Sequence, residues 1–237
     1  MKIFQLFLQF FSVCLRIIGS LGFLWEFSSF LQRNRQHSAV RKTTDPVLKL
    51  TAVNLARNIK KRIVTAEVVV RSYINRIHEV NPILNATVSD RFVEALEEAK
   101  EIDRILDSND NSLVGEKSSL LQKPLLGVPT TVKESIACKG LPNSCGLVDR
   151  RDEIAKQNAR VVENLKEAGA ITIAVTNCSE LCLWWETVNN VYGRTKNPYD
   201  TSRIVGGSSG GEGAIIASAG SICGIGSDLG KILFLVK

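Results

Sequence analysis

Gly206-Gly207-Ser208-Ser209-Gly210-Gly211-Glu212-Gly213-Ala214 packs five of the chain's 17 glycines into nine positions, with two adjacent serines at their centre. Glycine lets a backbone adopt left-handed conformations and approach other groups closely, and the serines supply hydroxyls. The run is too rich in glycine to open a helix, so a loop over 206–213 is expected, followed by a short buried helix over 214–219 and a strand over 222–225. Taken alone, it reads equally as a flexible linker. A phosphate loop does not fit, because Gly211 is followed by Glu212 where Lys-Ser/Thr is needed.

A second block, Gly224-Ile225-Gly226-Ser227-Asp228-Leu229-Gly230, stands a few residues downstream. It matches neither nucleotide motif. Only three residues separate Gly226 from Gly230-Lys231, and the glycine that should complete Gly-x-Gly-x-x-Gly falls one position late. A third block lies upstream, Gly127-Val128-Pro129-Thr130-Thr131-Val132-Lys133-Glu134-Ser135. Its apolar, β-branched stretch, bounded by Gly and Pro, predicts a buried strand within 124–132 that ends at Lys133. A lone lysine is ordinarily a surface residue; one at the end of such a strand is not.

The intervening sequence alternates helix and strand signals. Thr51 caps a predicted helix over 52–62 and Thr65 a second through residue 80, which Asn81-Pro82 should end. Charges alternate along a third helix, 91–106, predicted to face solvent, and residues 108–117 read as an acidic, Asn-rich loop. A helix over 157–168 stops at Gly169 and leads into a strand over 171–175. Alternation of this kind argues for an α/β domain.

The three blocks together resemble the amidase signature family of serine hydrolases. Thr176-Asn177-Cys178-Ser179-Glu180-Leu181 and Tyr192-Gly193-Arg194-Thr195-Lys196-Asn197-Pro198-Tyr199 narrow the likeness to its fatty-acid amide hydrolases, nearest the membrane-anchored type 2. The resemblance covers roughly residues 51–230. It implies the amino-terminal half of the amidase signature fold, a mixed central sheet flanked by helices. It also implies a Ser-cisSer-Lys triad, in which Lys133 matches the base and Ser208 the bridging serine that follows a cis peptide. A lysine accepts a proton only when neutral, a form that burial favours. Leu229 and Gly230 match part of the oxyanion hole. No metal or other cofactor is implied.

The family pattern continues from Gly230 into Gly-Ser-Ile-Arg, whose serine is the nucleophile. Aligned on Ser208 and Gly230, that serine falls at position 232, which is Ile232. An isoleucine has no nucleophilic atom, so amide turnover by this chain alone is expected to be absent. Gly230-Lys231 can be encoded GGT-AAG, the sequence of a splice donor, and residues 231–237 read as a divergent, intron-derived tail. The core implied by the resemblance extends well beyond Gly230, so exposed apolar surface and unpaired strand edges are expected. A full-length form should hydrolyse fatty-acid or lipid amides. Two other readings are a non-catalytic short form with a binding or regulatory role, homodimer formation included, and an amidase for a polar amide such as glutamine.

Residues 1–31 are rich in Phe, Leu and Ile, interrupted by Arg16 and Glu26. They read as a single-pass membrane-anchor helix, with an interfacial helix or a signal peptide as the other readings. An anchor ahead of the domain favours a lipid amide over a polar one. Arg33, Arg35, Arg41 and Lys42 follow this segment, which places the domain on the cytoplasmic side. Residues 32–49 read as a basic linker, and the partial amidase domain spans 50–230.

The net charge of +6 is dispersed, with no basic stripe interleaved with aromatics, and this argues against nucleic-acid binding. Six cysteines and two histidines are irregularly spaced, and Cys178-x3-Cys182 lacks zinc-ligand partners, so mostly buried free thiols are expected.

Overall fold

The computed structural model describes residues 39–228. The anchor expected over residues 1–31 lies outside them, as do Leu229, Gly230 and Ile232. Among the described residues, no helix is long and apolar enough to cross a membrane.

Thr51 and Thr65 both cap helices as expected, each side-chain oxygen accepting the backbone N–H three residues on. Helix α1 is Ala52–Lys60 and α2 is Ala66–Leu84. Helix α2 does not stop at Asn81-Pro82. Proline in the last turn forfeits a single backbone bond, and Asn85 supplies a left-handed terminus at φ 51° while donating its N–H to Asn81 O. The Asn81 side chain then holds the exit, with its Oδ1 accepting from the N–H groups of Ala86 and Thr87.

Strand β1, Thr87–Asp90, follows directly and was not foreseen. Helix α3, Phe92–Asp107, is amphipathic and not simply solvent-facing: Ala95, Ala99, Ile105 and Leu106 are buried. The expected loop over 108–117 gives way to helix α4, Val114–Gln122, entered through a tight turn in which Asp110 accepts the Ser112 N–H. Strand β2 is Pro129–Lys133, helix α5 Arg160–Glu167 and strand β3 Ile171–Thr176. A small hairpin, β4 Val188–Asn189 with β5 Gly193–Arg194, precedes helix α6, Gly210–Ala217, and strand β6, Cys223–Ile225.

Four strands form a mixed sheet in the order β1-β3-β2-β6. β2 lies parallel to both β3 and β6, while β1 is antiparallel to β3. The α/β expectation is met. The core joins the inner faces of α1 and α2 (Leu55, Ile59, Val69, Tyr73, Ile77, Leu84) to Ile171 and Ile173 of β3 and Ile215 of α6.

From Ala39 onward the described residues belong to one compact unit. The described part of the stretch read as linker, residues 39–49, is tied down. Arg76, buried on α2, donates to Arg41 O and Ser218 O, and Leu48 is buried.

Helix α6 begins within the glycine run, four residues earlier than expected. The glycines serve close approach more than loop freedom. A Cβ at Gly211 would stand 2.5 Å from both N and O of Asn177, and one at Gly210 2.3 Å from Thr187 Oγ1. The helix start is therefore pressed against the end of β3, where Gly211 N–H donates to Asn177 O.

Candidate active site

Strand β2 is buried along its whole length, and Lys133 at its end is fully buried. Its Nζ donates to Ser208 Oγ at 2.7 Å and to the Ser227 carbonyl at 2.9 Å. Parallel pairing of β2 with β6 aligns Val132 with Ile225, and this brings the Gly226-Ser227 segment past the lysine.

Ser208 follows a cis peptide bond, Gly207–Ser208. Its carbonyl accepts the Ser179 N–H at 3.2 Å, and its side chain is half-buried. Position 207 admits no side chain, because a Cβ there would lie 2.6 Å from Trp184 O and 2.9 Å from Glu186 N. Ser179 Oγ fastens the 184–186 segment that packs on Gly207, donating to Glu186 O at 2.6 Å. The two glycine-rich blocks are joined by Ser209, whose hydroxyl donates to Ser227 O and accepts from Ser227 N. Lys133 is thus enclosed by the three blocks that the sequence set apart.

Two buried carboxyls flank the lysine. Glu212, in the first turn of α6, accepts the hydroxyls of Thr131 (2.7 Å) and Thr176 (2.8 Å). Burial pushes its carboxyl up to about 7, against the opposing pull of those two hydroxyls and of Lys133. Glu134 instead anchors a turn. Its Oε1 accepts from Ser144 N and Oγ and from the Tyr192 hydroxyl, and its Oε2 accepts the Cys145 N–H at 2.9 Å. Burial, with Glu134 adding to it, raises the Tyr192 hydroxyl above its ordinary range. Ser227, Glu134, Glu212, Thr131 and Thr176 were not singled out from the sequence. All five stand in the quoted blocks, but no local pattern marks Glu134, Glu212, Thr131 and Thr176 as buried.

Among the described residues no group of three or more His, Cys, Asp or Glu side chains is placed to hold a metal. Chemically, the arrangement offers a buried amine one hydrogen bond from a half-buried hydroxyl. That geometry suits proton transfer at a serine.

The α/β sheet that carries this buried lysine–serine pair has the fold of solved amidases. Residues 68–231 match the Amidase family model, and the chain belongs to that family. It is 51% identical over 199 residues to Fatty-acid amide hydrolase 2-A of Danio rerio, covering 84% of this chain and 37% of that protein. Fatty-acid amide hydrolase 2 of Homo sapiens is also 51% identical, over 80% of this chain and 35% of its own length. The chain therefore spans little more than a third of the curated relatives it matches. A solved fatty acid amide hydrolase superposes with a TM-score of 0.69 at 27% identity, covering 77% of this chain and 31% of that one.

Proposed function

We propose that residues 50–230 are the base-bearing half of a hydrolase for fatty-acid or other lipid amides, with Lys133 as general base and Ser208 as the bridging hydroxyl. The 2.7 Å contact between Lys133 Nζ and Ser208 Oγ carries this reading. Lys133 takes the Ser208 proton as Ser208 takes one from a serine nucleophile, and the attacking oxygen forms a new bond to the amide carbon. Backbone N–H groups of Leu229 and Gly230 would begin the oxyanion hole. Support for a lipid substrate comes from the printed names of the relatives and from the exposed Leu183, Trp184 and Trp185 beside the Ser208 loop. An anchor over residues 1–31, with the domain facing the cytoplasm, belongs to the same proposal.

Ile232 occupies the position aligned with the nucleophile, so this 237-residue chain hydrolyses no amide by itself. The same isoleucine favours a second reading, a short form that binds lipid amides without cleaving them.

The test is a chimera in which residues 231–237 are replaced by the carboxy-terminal remainder of the Danio rerio relative. The chimera should hydrolyse long-chain fatty amides, and Lys133→Met should lower its rate by about 10²- to 10⁴-fold. Hydrolysis by the unaltered chain, or a chimera indifferent to residue 133, would overturn the proposal. Saturable binding of a fatty amide by the unaltered chain, without turnover, would support the second reading.

A further inference from the structure

Three segments bring thiols to the Lys133–Glu134 corner. Cys178 leaves the end of β3 and is fully buried, with its Sγ 3.8 Å from Glu134 Oε2. Cys182 ends the short turn Glu180–Cys182, which closes when the Cys182 N–H donates to Ser179 O at 2.9 Å. Cys145 joins from the 144–147 turn, where its carbonyl accepts the Leu181 N–H at 2.8 Å. Left-handed backbone at Leu181 and Cys182, φ 51° and 59°, bends the turn back on itself. The Cys182 thiol consequently interacts with Cys178, Ser135 and Lys133. Cys178 is buried, whereas Cys182 is half-exposed and flanked by exposed Leu181, Leu183 and Trp184, so solvent reaches Cys182 first.

We propose that Cys182 is a reactive thiol site for peroxides and other soft electrophiles, with Cys178 as the thiol that resolves it to a Cys178–Cys182 disulfide. A thiolate is the nucleophile in such chemistry, and neighbouring cations and hydrogen-bond donors favour it. The contact with Cys178, reinforced by Ser135 and Lys133, draws the Cys182 thiol below the ordinary cysteine range. The reciprocal contact and burial push Cys178 above that range. Burial is the main cause that raises Cys145, with Cys182 and Glu134 adding to it.

The steps balance with hydrogen peroxide as oxidant. The Cys182 thiolate attacks one peroxide oxygen, the O–O bond breaks, and sulfenic acid and hydroxide result. Cys178 sulfur then displaces the sulfenic hydroxyl, which leaves as water on taking the Cys178 proton, and the hydroxide of the first step takes up the proton that Cys182 had released to solvent. Two thiols and one peroxide become one disulfide and two waters.

Both cysteines lie in one tryptic peptide, residues 167–194, which holds no other cysteine. In the native chain, at about pH 6, iodoacetamide should label Cys182 on the order of tenfold faster than Cys145 or Cys223. Unfolding in urea should abolish the difference. After limited peroxide treatment the peptide should lose two hydrogens and both alkylation sites while Cys223 stays alkylatable. In Cys178→Ala the same treatment should instead leave a dimedone-reactive sulfenic acid at Cys182. Equal labelling rates in the native chain, or a disulfide formed between other cysteines, would overturn the assignment. The wild-type labelling and peptide map decide the matter even if the variant misfolds. They read thiol chemistry alone, so the result is separate from the hydrolase reading.

Discussion

Lys133 Nζ and Ser208 Oγ, 75 residues apart in sequence, meet at 2.7 Å because two unrelated local structures end at the same point. One is the carboxyl end of the buried strand β2; the other is the loop that enters α6. Each partner is fixed by its own surroundings, Lys133 by a second bond to Ser227 O and Ser208 by the packed Gly207 before it. The pair is therefore held before any substrate arrives, which is what a proton relay requires.

In a catalytically complete chimera the two residues should behave as one unit. Ser208→Ala and Lys133→Met should each lower kcat by about 10²- to 10⁴-fold, and the double variant should be little worse than either single one. Steady-state kinetics of the four forms checks this. Losses that multiply would mean that the residues act separately.

Glu212 makes stability depend on pH. Its folded value of about 7 lies above the ordinary 4.5, so between these values the folded state holds more protons than the unfolded state. The contribution of this group is full below about 4.5 and is lost as pH rises through about 7, a swing of about 3 kcal/mol. Glu212→Gln removes the titration while retaining an amide oxygen for one threonine hydroxyl and a donor for the other threonine. The variant should gain stability relative to the parent as pH rises from 5 to 8, as read by urea unfolding at about each pH unit. Parallel stability curves for the two proteins would contradict the burial argument.

The glycines separate into those that the fold needs and those that it does not. A Cβ at Gly211 meets Asn177 N, Asn177 O and Ala86 O, all backbone atoms, so nothing nearby can rotate away. Gly211→Ala should cost about 3 kcal/mol or prevent folding. Gly115, on the exposed side of α4 with nothing within 4 Å of an added Cβ, provides the contrast. Gly115→Ala should stabilise by about 0.5–1 kcal/mol. Thermal or urea unfolding of the two variants side by side measures the difference.

The sequence made the α/β class and the central pair legible, because Lys133 and Ser208 sit in runs whose composition is itself unusual. Thr51 and Thr65 were legible as caps because capping is local. The continuation of α2 through Pro82 was not, since it depends on Asn85 taking a left-handed terminus and on Asn81 bonding to β1. Helix α6 was placed late because its glycines answer to Asn177 and Thr187, contacts that no local pattern records. The buried carboxyls escaped notice for the same reason. Glu212 and Glu134 look like surface residues until Thr131, Thr176, Ser144 and Tyr192 are brought to them by the sheet and the hairpin.

Glu134 provides the sharpest test of that buried network, because every partner on its two oxygens is a donor. Tyr192→Phe removes one donor from Oε1 and leaves Ser144 N and Oγ in place, so it should cost about 1 kcal/mol. Glu134→Gln puts an NH₂ where an oxygen stood, facing either the Cys145 N–H or the Ser144 N–H, and no rotation of the amide avoids a donor. That substitution should cost more, up to about 3 kcal/mol, although it keeps the shape of the side chain. Urea unfolding with an unchanged m-value should give this order. If Glu134→Gln proved the milder of the two, the carboxyl would not be acting as the acceptor that holds the 144–146 turn beside Lys133.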